Sequence, residues 1–372
     1  MMAKTRGGLL ERKRGIEMAH IHQLVKEVLK DPQPSVFATI VNVDGSAYRK
    51  EGASIIMKSD ESRIGILSSG CLENDLYCRT QALFQSGHAE VYEYDLSAED
   101  DLGWGVGIGC NGIISILVRV VDAEFRAALV QLNQHFANRN PVLYIQSMSR
   151  INQYLFIGLN GERFGNWQEE MPFSMEDIMT SMSPFAKFVE RKKIGGEIYF
   201  LQLLWPQPTL YIIGAGEDAR PLAGLAVNIG YAVHMLDWRE GLCSPQHFPT
   251  VQSRRIGEMT DLIDQARLSE LDAVVVMTHD FQRDLKIIEK LQRMDLFYLG
   301  ILGAKKRTAR LFSGEIPNWI HSPIGLSIGA EGPEEIAVSI VAELIATKYK
   351  GGFHEKRRNL SRRGKKSAHG RK

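Results

Sequence analysis

Two hydrophobic patterns divide the chain near position 205. In the first part, apolar residues at helical spacing predict helices over Ile16–Lys30 and Ala123–Asn138, while shorter β-rich runs bounded by turns predict strands. The strand-length runs are Val36–Val43, Ala53–Met57, Ile64–Leu67, Glu90–Tyr94, Ile113–Val120, Val142–Met148, Gln153–Leu159 and Glu197–Leu204. Residues 161–195 otherwise show little pattern. These elements predict an N-terminal α+β domain over residues 16–205, with a small mixed sheet.

A second pattern begins after Pro206 and Pro208, which mark a domain boundary. A short apolar run, a glycine turn, a helix and another apolar run follow one another from Leu210 to Asp237. The later run Leu271–Met277 is apolar throughout, which is typical of a buried parallel strand. The pattern predicts an α/β fold, with a Rossmann-like domain and a parallel sheet over residues 206–350.

The glycine turn has the spacing of a dinucleotide-binding motif. Gly214 allows a tight turn, Gly216 lets a phosphate approach the backbone, and Ala219 is small enough for close helix packing. Asp237 ends the next strand, where an acid can bind ribose hydroxyls. The alternative is an ordinary strand–helix unit that uses its glycines only for the turn. A Rossmann domain does not by itself identify its ligand.

Other polar residues fall at the same predicted sheet edge, because ligands of open α/β sheets bind beyond the carboxyl ends of the strands. His279 and Asp280 follow a buried strand, and His279 could act as a general base or position a ligand. The alternative is that Thr278 or Asp280 caps the next helix. Lys305 begins a basic run after Gly303, which fits either an anion site or a solvated basic face.

Two cysteines in the first part each follow a glycine, as Gly70-Cys71 and Gly109-Cys110. Cys71 is predicted at the first turn of a helix, where the dipole favours a thiolate, although a small buried cysteine is an equal alternative. Cys110 lies in a glycine-rich connection. Together they indicate a shared pocket for a soft metal or a sulfur-bearing ligand, but the spacing does not fix their distance. Cys78, two turns beyond Cys71, is predicted to be a core residue.

Composition removes several function classes. Lys and Arg total 45 against 44 Asp and Glu, so the net charge of +1 gives no general attraction to nucleic acid. Four cysteines in 372 residues are too few for a disulfide framework, which favours the reducing cytoplasm. The apolar runs are too short to span a membrane. Residues 1–15 are predicted to be a flexible leader and residues 351–372 a disordered basic tail.

Seven stretches resemble the XdhC/CoxI family, the accessory factors for xanthine dehydrogenase and related molybdenum hydroxylases. The first part contributes three: GSAYRKEGA, SSGCLEND and GIGCNG. The second contributes four: GAGEDARPLA, VVVMTHDFQRD, YLGILGAKKR and HSPIGLSIGAEGPEEIAVSIVAEL. The last stretch discriminates best, because a generic Rossmann domain lacks it. The chain departs from the usual family pattern at Ser68-Ser69, Asn111 and Glu217-Asp218, and the two carboxylates of the last pair would repel a phosphate.

The resemblance implies a chaperone that binds molybdenum cofactor (molybdopterin), protects it during sulfuration by a cysteine desulfurase, and delivers it to an apo xanthine dehydrogenase-type hydroxylase. Cys71 and Cys110 would contact the molybdenum or its dithiolene, and the Rossmann domain would hold the phosphate or nucleotide end. The expected cofactor-binding residues are Gly70, Cys71, Gly109, Cys110, Gly214, Gly216, Asp237, His279, Asp280 and Lys305. A cytoplasmic homodimer is expected.

A second class of function stays open at this point. An NAD(P)-dependent oxidoreductase would use the Gly214–Asp237 segment for its nicotinamide cofactor and His279 as acid or base. Arg239, two positions beyond the acid, leaves NAD and NADP undistinguished. This alternative gives the two Gly-Cys pairs no role, whereas the chaperone hypothesis gives them one.

Overall fold

The computed structural model describes residues 20–68, 70–96, 111–168, 184–312 and 315–349. These residues form two compact units. The first contains the described residues up to 168 together with Phe188–Leu204, and the second contains residues 184–187 and those from Trp205 onward. Among the helices in the described ranges, none is both long enough and apolar enough to cross a bilayer.

In its described residues, the first unit contains two five-stranded sheets and three helices. The helices are α1 (Ile21–Lys30), α2 (Cys71–Ser86) and α3 (Ala123–Ala137). The strands are β1 (Ser35–Ser46), β2 (Ser54–Lys58), β3 (Arg63–Gly65), β4 (Glu90–Asp95), β5 (Asn111–Val120), β6 (Val142–Ser147), β7 (Tyr154–Gly158), β8 (Arg163–Asn166), β9 (Val189–Ile194) and β10 (Glu197–Leu204). Their orders are β3-β2-β1-β5-β4 and β8-β7-β6-β10-β9.

The α+β class is confirmed, but the described strand pairs of this unit are antiparallel, in two sheets rather than one small mixed sheet. Apolar periodicity reports which residues are buried but not strand direction, which is why the sequence did not settle this. β8 and β9 fall in the weakly patterned segment 161–195. β9 is an edge strand with exposed charged residues, so it lacks the apolar signal of a strand.

Both faces of the first sheet are covered. One face packs with α1, α3 and the second sheet into a single core that includes Leu24, Phe125 and Phe156. The opposite face packs against α2 through residues such as Ile55 and Leu76. Burial on both faces explains why β1 is a continuous apolar run rather than an alternating strand.

The second unit is built around a parallel six-stranded sheet. Its strands are β11 (Thr209–Ile213), β12 (Ala232–Asp237), β13 (Ser253–Ile256), β14 (Asp272–Val276), β15 (Tyr298–Ile301) and β16 (Ile320–His321). Its helices are α4 (Ala219–Asn228), α5 (Met259–Ala266), α6 (Phe281–Leu291), α7 (Lys305–Leu311) and α8 (Gly332–Tyr349). One core packs α4 and α8 on one face of the sheet, and another packs α5, α6 and α7 on the other face.

The strand order is β13-β12-β11-β14-β15-β16, and neighbouring strands are parallel. This is the doubly wound order of dinucleotide-binding folds, so the predicted Rossmann architecture is confirmed. The chain reverses its direction of winding between β11 and β14. The crevice beyond the carboxyl ends of these two strands is therefore where such folds bind their ligands.

Candidate functional site

The glycine turn after β11 is fixed by its surroundings. Gly214 has φ +111°, and a Cβ added there would lie 2.5 Å from the carbonyl oxygen of Met277. Only glycine fits this position without displacing backbone. Ala215 and Ala219 are fully buried against the same core, so the turn and the start of α4 pack tightly onto the sheet. The predicted roles of Gly214 in the turn and Ala219 in packing agree with this geometry.

The carboxylate of Asp237, at the end of β12, is buried and hydrogen-bonded to other groups of the protein. It is 0% exposed and accepts a 2.5 Å hydrogen bond from the backbone N–H of Ala215. Arg239 donates to both oxygens, through Nε at 2.9 Å and Nη2 at 2.8 Å, and its backbone N–H adds a bond of 2.7 Å. Burial opposes ionisation, but these hydrogen bonds lower the pKa of Asp237 below its usual value. The carboxylate thus ties the glycine turn to Arg239, and a ribose hydroxyl would have to compete with both.

A second carboxylate, that of Asp218, lies beside Gly216, the other glycine of the motif. A Cβ added at Gly216 would lie 2.9 Å from Oδ1 of Asp218. The other oxygen of Asp218 is 2.7 Å from Nε2 of His279, which reaches it from the end of β14. The Asp218 side chain is 16% exposed and that of His279 is 64% exposed. The space that Gly216 leaves for a ligand is therefore bordered by a carboxylate that remains partly accessible.

His279 has an unusual backbone. Its φ of +59° lies in the left-handed region, which costs a residue with a Cβ about 1 kcal/mol. The bond between His279 and Asp218 joins the segments that follow β11 and β14, across the crevice where the winding reverses. The predicted ligand-positioning role of His279 stays a prediction, and this geometry is compatible with it.

The alternative role for Asp280, a helix cap, is confirmed: its side chain accepts a 3.0 Å bond from the backbone N–H of Arg283 at the start of α6. The sequence did not reveal a buried neighbour, Asp284, whose oxygens bind the Thr278 hydroxyl at 2.5 Å and Arg307 Nη2 at 2.6 Å. Asp284 is 1% exposed. It therefore anchors Arg307 at the same sheet edge as the glycine turn.

Arg239 shares the ring of Trp238 with another arginine, Arg283. The guanidinium carbons of Arg239 and Arg283 each lie 4.2 Å from the ring centroid of Trp238, a distance typical of cation–π contact. Lys305, the predicted anion-binding lysine, is exposed at the first position of α7. The edge thus presents fixed guanidiniums beside fixed carboxylates. The pairing of Arg239 could have been found from the sequence, because its partner Asp237 lies only two positions earlier. The pairing of Arg307 could not, because its partner Asp284 lies 23 positions earlier in the chain.

The Gly70-Cys71 turn is held by another buried carboxylate. Glu73, in the first turn of α2, accepts bonds from the backbone N–H groups of Leu67 at 2.9 Å, Ser68 at 2.6 Å and Gly70 at 3.1 Å, and from the Ser68 hydroxyl. Burial opposes ionisation, but these donors lower the pKa of Glu73. Gly70 has φ +122° and precedes the helix. The predicted placement of Cys71 at the helix start is confirmed for its backbone.

The other cysteine predictions have different outcomes. Gly109 and Cys110 lie outside the described residues, so the shared pocket stays a prediction. Cys78 was predicted to be buried, and that is wrong, because its side chain is exposed. The buried positions of α2 are Leu72, Glu73, Leu76, Thr80 and Leu83, and Cys78 falls between them on the outer side of the helix. In the described part of the chain, no group of three or more His, Cys, Asp or Glu residues is arranged to hold a metal ion.

Comparison with known proteins identifies the chain's relatives. A family model described as the XdhC and CoxI family matches residues 28–95, a BH1974-like central domain matches residues 123–201, and an XdhC Rossmann domain matches residues 210–344. A Bacillus subtilis protein named as a probable xanthine dehydrogenase subunit is 39% identical over 334 residues, which cover 89% of this chain and 98% of the relative. The chain belongs to the XdhC and CoxI family.

Two other similar proteins extend the comparison. The molybdenum cofactor insertion chaperone PaoD of Escherichia coli is 24% identical over 330 residues, covering 87% of this chain and 86% of PaoD. A crystal structure of a xanthine dehydrogenase from Bacillus halodurans matches with a TM-score of 0.79 and 36% identity, covering 88% of this chain and 96% of that chain. Both the predicted family and the predicted Rossmann domain are confirmed.

Proposed function

We propose that this XdhC-family protein is an accessory factor that binds molybdenum cofactor and assists its insertion into a xanthine dehydrogenase-type molybdenum hydroxylase. The observation that carries the proposal is the match to PaoD, named as a molybdenum cofactor insertion chaperone, over 87% of this chain. The match is long enough to include residues of both compact units. The Bacillus subtilis relative, whose name places it with xanthine dehydrogenase, supports a hydroxylase of that type as the recipient.

The sheet edge of the second unit suits the organic part of such a cargo. Molybdopterin carries a polar pterin ring and a phosphate, and the edge offers acceptors at Asp218 together with guanidiniums at Arg239 and Arg307. Each guanidinium is held by a carboxylate that is nearly inaccessible to solvent. Side chains fixed in this way can bind a ligand without first losing their own freedom of movement, which favours affinity.

The metal end of the cargo is assigned by donor chemistry. Thiolates are the soft donors that a molybdenum–dithiolene unit would accept, so we propose that Cys71 and Cys110 contact it. The Glu73 carboxylate supports this assignment, because it holds the turn before Cys71 in one conformation. We also propose that a cysteine desulfurase sulfurates the cofactor while this protein holds it.

A nicotinamide-dependent oxidoreductase is the competing function. The Rossmann strand order is compatible with it, but two contacts disfavour it. Asp237 is bonded to Ala215 and Arg239 instead of being open to a ribose, and Asp218 borders the space where a pyrophosphate would approach Gly216. We therefore prefer a site for the pterin cargo over a site for NAD(P).

The proposal is tested by expressing the protein in a molybdate-supplied host with an apo xanthine dehydrogenase-type hydroxylase. We expect purified protein to carry a pterin and molybdenum, detected by mass spectrometry, and to transfer both to the apo hydroxylase, which then gains activity. A protein that carries no pterin, takes up none, and reduces NAD with a small substrate would contradict the proposal. A protein that remains in the active hydroxylase at fixed stoichiometry would be a permanent component of that enzyme and not an insertion factor.

A further inference from the structure

The carboxylate of Asp218 occupies the position that decides what the glycine turn can bind. In a dinucleotide-binding turn, the glycine at this position leaves open space so that a pyrophosphate can approach the backbone. Here Oδ1 of Asp218 lies only 2.9 Å from where a Cβ of Gly216 would be. An anion approaching Gly216 would meet this negative charge. The neighbouring Glu217 adds another carboxylate, although it pairs with Arg220 at 2.9 Å.

The same carboxylate suits a ligand that presents N–H groups. An ionised carboxylate only accepts hydrogen bonds, and its two oxygens offer about four lone-pair positions. His279 Nε2 occupies one of these at 2.7 Å from Oδ2, so both oxygens of Asp218 retain accepting capacity. A 2-amino-4-oxopyrimidine edge, which pterins and guanine share, presents a ring N–H and an amino N–H side by side. Two such donors can bind one carboxylate in parallel, as a guanidinium does.

We propose that Asp218, held by His279, recognises the 2-amino-4-oxopyrimidine edge of a bound pterin or guanine ring at the Gly214–Ala219 turn. This inference rests on the proposed function, because the pterin of molybdenum cofactor carries that edge. It assigns the ring, and not the phosphate, to the turn. With the ring at the turn, we expect the phosphate of the cargo to bind near the guanidiniums of Arg239 and Arg307. The buried Asp237 and Asp284 hold these guanidiniums at the same edge.

His279 is the positioning residue in this arrangement. Its strained backbone at φ +59° and its bond to Asp218 fix the carboxylate from across the crevice between β11 and β14. Asp218 remains partly accessible, as a recognition group must be. His279→Ala is expected to weaken pterin binding, and His279→Gln, whose amide can still donate to Asp218, is expected to restore part of it.

The test is calorimetric titration of the full-length protein with matched ring probes. Pterin is compared with lumazine, in which an oxygen replaces the 2-amino group, and GMP is compared with IMP, which lacks that group. We expect wild-type protein to prefer the amino-bearing member of at least one pair by about tenfold, the effect of one bidentate pair on discrimination. The pterin pair and the guanine pair separate the two sources of the ring.

Two isosteric variants complete the experiment. Asp218→Asn replaces one acceptor oxygen with a donor and is expected to abolish the preference. Glu217→Gln removes the neighbouring carboxylate, which is exposed and paired with Arg220, and is expected to keep the preference. Thermal unfolding checks that both variants fold. Inorganic pyrophosphate is the control for a phosphate cradle: if Asp218→Asn binds it more tightly and leaves the pterin preference unchanged, the inference is overturned.

The outcomes also separate this inference from the proposed function. Wild-type and Asp218→Asn proteins that carry and transfer the cofactor equally well would overturn the role of Asp218 and leave the insertion function standing. A wild-type protein that discriminates the ring probes through Asp218, yet carries no molybdenum cofactor, would support the ring site and contradict the insertion function. Failure of wild-type protein to bind any of the four ring probes at millimolar concentration would overturn the ring site.

Discussion

At the scale of single residues, the second unit is notable for carboxylates committed to particular partners. Asp237 and Asp284 are almost inaccessible to solvent, and each binds an arginine. A buried charge is tolerated only when it is paired and hydrogen-bonded, so these aspartates and their arginines act as units. The consequence is that each guanidinium is fixed at the sheet edge.

Replacing Asp237 tests this at one position. Asp237→Asn loses charge-assisted bonds to Arg239 and places an amide N–H₂ against the N–H donors, so we expect a loss of about 2–3 kcal/mol in the free energy of unfolding. Urea titration at pH 7 measures it. Asp261→Asn, an exposed aspartate in the first turn of α5, is the control and should change stability by less than about 1 kcal/mol.

The pH dependence of the same variant has a definite sign. The pKa of Asp237 is lower in the folded protein than its ordinary value, so the stabilisation is present above that ordinary value, about 4. It is lost as the pH falls through the lower, folded-state pKa. The difference in unfolding free energy between wild type and Asp237→Asn should therefore shrink below about pH 4. A difference that grows on acidification would contradict the assigned ion pair.

At the scale of elements, short turns before helices set the geometry of both candidate regions. The turn before α4 follows a buried parallel strand, and the turn before α2 is held by Glu73. Both turns use glycine with positive φ, Gly214 at +111° and Gly70 at +122°. Glycine in each turn therefore serves local backbone geometry, whatever ligand is bound.

Replacing each of two glycines of the same strand–helix unit by alanine should change the stability of the protein in opposite directions. Gly214→Ala places a Cβ 2.5 Å from a backbone oxygen at positive φ, and we expect it to destabilise the protein by roughly 2 kcal/mol or more. Gly224, within α4, has open space around its added Cβ, so Gly224→Ala should stabilise by about 0.5–1 kcal/mol. Denaturant unfolding of both variants measures this. Equal effects would show that the turn is more adaptable than its contacts imply.

The turn before α2 gives a second test at this scale. Glu73→Gln leaves one of the two acceptor oxygens and turns an N–H₂ toward donors, so the start of the helix should lose about 1–2 kcal/mol. Hydrogen exchange should become faster at Leu67, Ser68 and Gly70. Glu124→Gln, an exposed glutamate in the first turn of α3, should leave exchange at these positions unchanged.

At the scale of the whole molecule, the family models match the two regions that carry the candidate residues. The matched segments 28–95 and 210–344 contain the turn before Cys71 and the sheet edge of the second unit, respectively. An insertion factor needs to hold a reactive cargo and then release it. The expected homodimer stays a prediction, and light scattering would decide whether the mass is 41.8 kDa or twice that value.

Cargo retention provides the whole-molecule prediction. Cys71→Ala should lower the amount of molybdenum carried by the purified protein by about tenfold or more, because we propose that its thiolate binds the metal end. Cys78→Ala, on the outer side of the same helix, is the matched control and should retain the cargo. Molybdenum analysis and oxidised-pterin fluorescence of the same samples measure both ends of the cofactor. Equal retention in the two variants would remove Cys71 from the proposed site.

The sequence by itself determined the Rossmann half of this protein and its family. Its buried strands are short, mostly apolar runs, and its first turn has the glycine spacing of a dinucleotide-binding motif, so local pattern and final fold agree. The sequence also located Gly214, His279 and the backbone position of Cys71 in the regions where the structure has them. These features could be predicted because each depends on residues that are near neighbours along the chain.

Only the tertiary structure decided which side chains act together. The bond between Asp218 and His279 joins residues 61 positions apart, and the bond between Asp284 and Arg307 joins residues 23 positions apart. The pairing of strands into two antiparallel sheets in the first unit likewise depends on contacts between distant segments. Periodicity shows which residues are buried, but the partner of a buried charge is set by the packing of separate strands and helices. For that reason the glycine turn and the carboxylates beside it could be predicted from the sequence, while the bond that holds Asp218 to His279 could not.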